Sequence, residues 1–557
     1  AGAGRDGEET PAGAGDTRTG MAAGQRVGEG WNIACIRPRR MSTGTAPSAS
    51  PTPPTPPTPL PAVPQAPPPP APARRARTTA PGRVIARRLG KLLGGVALVV
   101  LALIGLLSAT RGTPVEYVIA RGDLAGPPAP DDSLFARTVE LYTGTALHAG
   151  NRVQVLENGD GTYPLLWRDL RTCRTSVTVQ MYFAKPGAVA DTMAAVLGEC
   201  ARRGVRVLLL LDGFGSQSLQ REWAAKVRRR GVEVAWLRRL RWYQLNKVFE
   251  RSHARVVTVD GRVGYTGGFG LADYWLGAGR KPDEWRETNV RFEGPAVAQL
   301  QAAFASTWAE ATGELLTGSA FFPPVSFRPV TADSVGPVNV RRLPRRTGPA
   351  SGATALDPPP GDVPTVARDT AATGDVRAGL FHAVPSTGST PAERFHALTV
   401  ASARRRLYIS NAYFVPDDDF RRLLAAAARR GVDVRVLTTG PESDVKSTVW
   451  AGRFRYEDLL RAGVRIYEYQ PANMHAKTIS ADGVWGSVGS MNFDNRSMAF
   501  NDETTLLVRD STVVGGMDRM FLEDLKYSRE VTLAEMRGRP WWQKARDGLA
   551  TMLQRVL

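Results

Sequence analysis

From about residue 145 onward, short apolar runs alternate with longer stretches in which apolar residues recur every three or four positions. NRVQVLENG (151–159) reads as a strand and turn, and SVTVQMYFAKP (176–186) reads as a strand. TMAAVLGECARRG (192–204) carries helical periodicity closed by Gly204, and VRVLLLLDGFG (205–215) is apolar enough for a strand buried on both faces. This βαβ order predicts an α/β fold whose sheet is mainly parallel and covered by helices.

The same order returns further along. RLYISNAYFVPD (406–417) repeats the first apolar strand, with Tyr182-Phe183 and Tyr413-Phe414 offset by 231 positions. FRRLLAAAARRGVDVRVLTTG (420–440) repeats the helix and next strand, aligning Ala201-Arg202-Arg203-Gly204 with Ala428-Arg429-Arg430-Gly431 at an offset of 227. His253 and His475 close the series at 222. Three near-equal offsets in one order predict an internal duplication. One α/β domain is expected over 145–332 and a second over 379–557, joined by a Pro-, Gly- and Thr-containing linker over 333–378.

The chain before residue 145 has another character. Residues 1–91 are expected to be disordered, with a Pro-rich tract over 51–73, and Met21 and Met41 are candidate starts. LLGGVALVVLALIGLLSA (92–109) holds no charge, close to the ~20 residues a membrane-spanning helix needs. A transmembrane helix is therefore expected over 92–110. Arg83, Arg87, Arg88 and Lys91 precede it, and charges of mixed sign follow. That bias predicts a single-pass cell-membrane protein with a cytoplasmic N-terminus and an extracytoplasmic catalytic domain. A cleaved signal peptide, whose leading region would be too long, and a buried core helix, for which a polar face is lacking, are the competing readings.

Composition adds one strong bias. Lys and Arg number 72 against 53 Asp and Glu, giving a net charge of +19. The balance favours anionic partners, either nucleic acid or an acidic lipid surface, and does not choose between them. Three cysteines form neither a disulfide framework nor a zinc pattern; Cys173 and Cys200 could pair if oxidised, but their place at core strand and helix edges favours buried free thiols. Basic-aromatic runs occur at 237–251 and at the C-terminus, where RGRPWWQKARDGLATMLQRVL fits an interfacial helix or an ordinary packed one.

Only five histidines are present, and two occupy equivalent places in the repeats. His475, Lys477 and Asp482, then Gly489-Ser490 and Asn492, spell H-x-K-x4-D-x6-G-S-x-N. On a strand, positions two apart share a face, so an imidazole and an ammonium can meet one anionic group. Ser490 and Asn492 offer a hydroxyl and an amide to the same phosphate. The first copy reads His253, Arg255 and Asp260, then Gly267-Gly268 and Gly270.

This string resembles the signature of the phospholipase D superfamily. The continuation Asp494-Asn495-Arg496-Ser497 and Asn501-x-Glu503 makes it most similar to bacterial cardiolipin synthases, over about residues 145–557. Two departures stand in the first copy: Arg255 where the family has Lys, and Gly270 where it has Asn. The resemblance implies two phospholipase D-like domains sharing one active site at their interface. It implies His253 as nucleophile and His475 as acid and then base. Glu287 and Glu503 would orient the histidines, each crossing to one of them, and Arg255, Lys477, Ser490 and Asn492 would cradle the phosphate. Asp260 and Asp482, in turns before glycine, would serve either catalysis or the fixing of the motif. No cofactor or metal is expected.

The activity so implied is phosphatidyl transfer between two phosphatidylglycerol molecules to give cardiolipin and glycerol, with anionic phospholipid and the membrane surface as partners. Hydrolysis of phospholipid, a nucleic-acid phosphodiesterase and a non-catalytic lipid-binding descendant are the alternatives. The apolar segment and the duplication within one chain weigh against nucleic acid as the partner.

Overall fold

The computed structural model describes residues 81–110, 115, 117, 118, 126–219, 221–239, 250–324, 373–385 and 390–552. In the first helix the side chains described are 88–99, 101, 102 and 105. The expected disordered tract up to residue 80, the basic-aromatic stretch 240–249 and most of the expected linker lie outside the described residues.

The first half begins with helices α1 (Pro81–Thr110) and α2 (Ser133–Thr143). Its strands are β1 (His148–Glu157), β2 (Ser176–Met181), β3 (Arg206–Asp212), β4 (Glu233–Leu237), β5 (Arg251–Ser252), β6 (Val256–Val259), β7 (Val263–Gly267), β8 (Trp285–Arg286) and β9 (Thr288–Glu293). Among them run α3 (Asn158–Arg171), α4 (Ala188–Arg202), α5 (Arg221–Arg229) and α6 (Pro295–Thr312).

The second half contributes β10 (Thr373–Ala383), β11 (Arg406–Asn411), β12 (Asp433–Thr439), β13 (Arg465–Tyr469), β14 (Asn473–Met474), β15 (Lys477–Ala481), β16 (Trp485–Gly489), β17 (Asn501–Arg509) and β18 (Ser528–Val531). Its helices are α7 (Pro391–Ser402), α8 (Asp418–Arg429), α9 (Lys446–Arg461), α10 (Asn495–Ala499), α11 (Ser511–Leu525), α12 (Leu533–Gly538) and α13 (Trp541–Met552).

One sheet runs through both halves in the order β18-β13-β12-β11-β15-β16-β17-β10-β1-β9-β7-β6-β2-β3-β4. Read outward from the central β10-β1 pair, the two arms match: β17-β16-β15-β11-β12-β13 on one side and β9-β7-β6-β2-β3-β4 on the other. The duplication thus appears as two arms of one continuous sheet. The helices bury their apolar faces on it through separate clusters, one centred on β2 and β3 with α4, another on β11 and β12 with α7 and α8.

Several expectations need correction. The sheet is mixed: β2-β3-β4 and β11-β12-β13 are parallel, whereas β6-β7 and β15-β16 are hairpins, so β2-β6 and β11-β15 are antiparallel. The cause is local, since Asp-Gly turns too short for a crossover reverse the chain. β1 passes directly into α3 without the expected turn; Asn158, at φ 57°, takes up the change of direction. β10 starts at Thr373, inside the stretch assigned to the linker. Residues 81–91, expected to be disordered, are helical, because the apolar periodicity of 92–109 continues backward past Lys91 into α1. Among the described residues no helix is long and apolar enough to cross a membrane, and several side chains of the 92–109 run lie outside them. Cys173 and Cys200 form a disulfide, with Cα atoms 6.5 Å apart. The cause is that α3 and α4 pack together, bringing the end of one against the last turn of the other.

Candidate active site

Both signature histidines sit just before a hairpin. His253 precedes β6-β7 and His475 precedes β15-β16. Each hairpin turns on Asp-Gly in the left-handed region: Asp260 and Gly261 at φ 55° and 60°, Asp482 and Gly483 at φ 55° and 74°. The two consecutive positive φ values turn the chain tightly enough for the Arg262 N–H to reach the Val259 carbonyl at 3.0 Å, and the Val484 N–H the Ala481 carbonyl at 3.2 Å, within three-residue connections. The Asp260 carboxylate accepts the backbone N–H groups of Arg174, Thr175 and Ser176 at 2.7–3.1 Å. Asp482 accepts those of Arg404, Arg405 and Arg406 at 2.7–3.0 Å. Each aspartate therefore ties its hairpin to the entry of the neighbouring strand, β2 or β11, at the far end of the strand from the histidine. Of the two roles the sequence left open for Asp260 and Asp482, these contacts match the fixing of the motif.

The two copies exchange short strands next to their histidines. β14 pairs in parallel with β8, and the His475 N–H donates to the Arg286 carbonyl at 2.7 Å. β5 pairs in parallel with β17, joining Arg251 and Ser252 to Asn501 and Asp502. Each exchange ends beside a glutamate. Glu287 Oε2 stands 2.6 Å from His475 Nδ1, and both Glu503 oxygens stand 2.9 Å from His253 Nδ1. Glu287 and Glu503 are completely buried. The crossed pairing implied by the resemblance is present, and it leaves Nε2 of each ring unencumbered by its glutamate.

The cations are placed alike. The Arg255 guanidinium donates through Nη1 to the His253 carbonyl, and the Lys477 ammonium donates to the His475 carbonyl. Arg255 also donates through Nε to the Phe269 carbonyl at 3.3 Å. Both side chains are almost wholly buried. Asn492 is buried too, and its Oδ1 lacks a hydrogen-bond partner among the described residues, which suits a group reserved for an incoming ligand. Ser490, expected to bind phosphate, is engaged within the protein. Its hydroxyl donates to Glu503 at 2.5 Å and accepts from the Thr504 N–H at 2.9 Å, so it holds the glutamate instead.

Burial and the neighbouring cations Arg255 and Lys477 hold the His253 imidazole well below its ordinary range. Burial, with Lys477 adding to it against the pull of Glu287, brings His475 down to about 4. Both rings are therefore neutral near pH 7 in the free site. Burial lowers Lys477 to about 8. Burial also works to raise Glu287, but Lys477 and His475 outweigh it and the carboxylate ends below its usual range. Glu503 goes the other way, pushed up to about 8 by burial against the opposing effects of Ser490 and Arg255.

Gly270 is explained by packing. A Cβ there would lie 2.7 Å from the Trp275 ring and 2.8 Å from the Phe183 carbonyl oxygen. Trp275 occupies the space, donates its indole N–H to Glu287 at 3.2 Å and packs edge-on against His475, with centroids 5.6 Å apart. Trp285 lies closer still, at 4.7 Å. Gly268 is needed equally, because a Cβ would fall 2.4 Å from the Glu287 carboxylate.

Sequence reasoning missed these tryptophans, since they follow the first motif at spacings with no counterpart in the second. Tyr182 and Tyr413 were visible as repeat landmarks but not as site residues. Tyr182 packs on His253 at 4.9 Å and Tyr413 on His475 at 6.4 Å. Arg496 also belongs to the site, as its charge helps lower His253. Among the described residues no group of His, Cys, Asp and Glu is arranged to hold a metal ion.

A duplicated α/β chain whose paired H-x-(K/R) motifs meet crossed glutamates in one buried cluster with Arg255 and Lys477 has the arrangement of a phospholipase D-type protein. The family described as "Cardiolipin synthase, PLD-like domain" matches residues 166–308 and 398–525. Cardiolipin synthase A of Pseudomonas syringae is 30% identical over 440 residues, 77% of this chain and 82% of that protein. Cardiolipin synthase of Geobacillus kaustophilus is 27% identical over 433 residues, 77% of each chain. A crystal structure of phosphatidylserine synthase from Haemophilus influenzae shares the fold, with a TM-score of 0.52 at 12% identity, over 76% of this chain and all of that one. The chain belongs to the phospholipase D superfamily and, within it, to the cardiolipin synthase-like family.

Proposed function

We propose that the chain transfers a phosphatidyl group from one phosphatidylglycerol to a hydroxyl of another, forming cardiolipin and releasing glycerol. The observation that supports the reading is the crossed pair of histidine–glutamate contacts, in which we read one nucleophile and one proton carrier for the same phosphate.

His253 Nε2 attacks phosphorus while Glu503 holds Nδ1. The bond from phosphorus to the glycerol oxygen breaks, and His475 delivers a proton to that oxygen. The phosphodiester's negative charge raises the proton affinity of His475 above its value in the empty site, so the acid forms when substrate is bound. Glycerol leaves, and a hydroxyl of the second phosphatidylglycerol takes its place. His475 removes its proton, the new phosphorus–oxygen bond forms, and the bond to His253 breaks. Arg255 and Lys477 meet the charge that builds on the phosphoryl oxygens, with the amide of Asn492 beside them. These roles keep every bond-making group within the chain and call on no cofactor.

The anionic lipid substrate agrees with the net charge of +19. We also read the uncharged run 92–109 within α1 as the membrane anchor, with the basic residues before it on the cytoplasmic side and the α/β body outside. Its described side chains Leu92, Leu93, Val96, Leu98, Val99 and Leu101 are all exposed, as anchoring residues would be in the absence of lipid.

Mass spectrometry of phosphatidylglycerol vesicles incubated with the full chain tests the reading, beside His253→Ala and His475→Ala. Cardiolipin and glycerol from the unaltered chain alone are expected. Phosphatidic acid without cardiolipin would reassign the chain as a hydrolase.

A further inference from the structure

The last helix is built inside out. In α13 the residue buried completely is Asp547, which takes ion pairs from Arg539 at 2.5 Å and Arg546 at 2.7 Å. The residues facing water are Trp541, Ala545, Leu549 and Met552, spaced i, i+4, i+8 and i+11, so that one stripe of the helix is apolar. Trp541 is 80% exposed and Leu549 64%, and Trp542 flanks the stripe at 52%. Apart from α1, no described element exposes as many large apolar side chains.

The stripe continues onto α9, where Phe454 is half exposed and its ring lies beside Gly548 of α13. A helix whose only purpose was packing would turn these residues toward α9 and Asp547 toward water. An apolar stripe of this kind marks an interaction surface.

The rim is basic. Among the described residues Arg537, Lys544 and Arg546 lie on or beside α13 at least partly exposed, with Arg539 largely buried against Asp547. The Arg537 side chain is more than half exposed and pairs through Nε with Glu457 at 3.3 Å. Tryptophan at one end, leucine and methionine along the stripe and basic residues at the edge form the pattern of a helix lying in the headgroup layer of an anionic bilayer.

Position relative to the site gives the surface a purpose. Ala550, on the buried face of α13, joins Ala451 and Val415 in one small cluster. Val415 lies two residues after Tyr413, whose ring faces His475. We propose that α13 docks the catalytic body on an anionic lipid surface through Trp541, Leu549 and Met552, setting the height of the pocket above the headgroups. The proposal deepens the lipid-transfer reading and rests on it only for the choice of lipid.

The test uses the full chain carrying Cys35→Ser and Leu549→Cys, labelled at 549 with an environment-sensitive fluorophore and reconstituted into phosphatidylglycerol-containing vesicles. Emission is expected to shift to the blue and to be largely quenched by brominated lipids. Arg537→Gln should lower the ratio of docked to undocked helix about fivefold, the effect of one basic residue near an anionic surface. Circular dichroism checks that each variant is folded. Emission typical of water in these vesicles would overturn the proposal. So would a blue shift that brominated lipids leave unquenched, together with a dimer in sedimentation, because a second copy would then cover the stripe. The optical readout needs no turnover, so a docked but inactive chain would count against the catalytic reading alone.

Discussion

Glu287 Oε2 lies 2.6 Å from Nδ1 of His475, 188 residues further along the chain, while Glu503 makes the reciprocal contact with His253. Glu287→Gln should keep the hydrogen bond but lose the charge that steadies a protonated His475. A turnover loss of about 10²–10⁴ is expected, the range for the orienting carboxylate of a catalytic triad, with KM changed little. Steady-state kinetics check it, and a loss under tenfold would remove Glu287 from the mechanism.

Turnover should peak close to pH 8. The His253–Glu503 pair must give up a proton before His253 can attack, and Glu503 is pushed up to about 8, so activity falls below that pH. Lys477 must keep its proton and is lowered to about 8, so activity also falls above it. Lys477→Arg keeps the charge at all accessible pH values and should remove the alkaline limb while leaving the acid one. An unchanged alkaline limb would assign it to another group.

Restoring the family's asparagine in the first copy should harm the protein. Gly270→Asn drives a side chain into the Trp275 ring and the Phe183 carbonyl. A destabilisation of about 1–3 kcal/mol is expected from overpacking, together with lost activity as Trp275 is displaced from Glu287. Trp275→Phe serves as the comparison, since it removes the indole N–H donor to Glu287 and some buried ring volume without introducing a clash. Denaturant melts and turnover of both variants check this, and a more active Gly270→Asn enzyme would contradict it.

Three buried histidines should contribute stability that acid removes between about pH 6.5 and 4. His382, His396 and His475 are each lowered to about 4, with burial as the largest cause. At these three sites the unfolded chain binds more protons than the native one, so their contribution is fully present above pH 6.5 and is lost as pH falls through the window, while Glu503, pushed up to about 8, and Asp494 and Asp502, pushed up to about 6, act in the opposite direction. His396 is packed among Phe395, Phe420 and Phe493. His396→Leu should flatten the dependence of Tm on pH, and an unchanged slope would remove His396 from the explanation.

The sequence carried the duplication and both motifs, because tandem copies leave near-equal spacings and an H-x-K strand is a local pattern, whereas the crossing of Glu287 and Glu503 was implied by the family resemblance alone. The mixed sheet was hidden because apolar runs do not encode strand direction, and only the Asp-Gly turns hinted at the reversals. Asp260 was left with two roles because its backbone bonds to residues 174–176 are invisible to spacing. Trp275 and Trp285 were missed because their contact with His475 joins different halves of the chain. The Cys173–Cys200 pairing depended on helix packing, which periodicity does not report.

Duplication ordinarily leaves a spare, so that one copy can decay while the other works. The exchange of β8 with β14 and of β5 with β17 removes that freedom, since each copy holds the carboxylate on which the other's imidazole depends. Damage to either copy falls on the single pocket they share. At Gly270 the departure is matched by Trp275 of the same copy, whose ring fills the space an asparagine would take and reaches across to the other copy's His475.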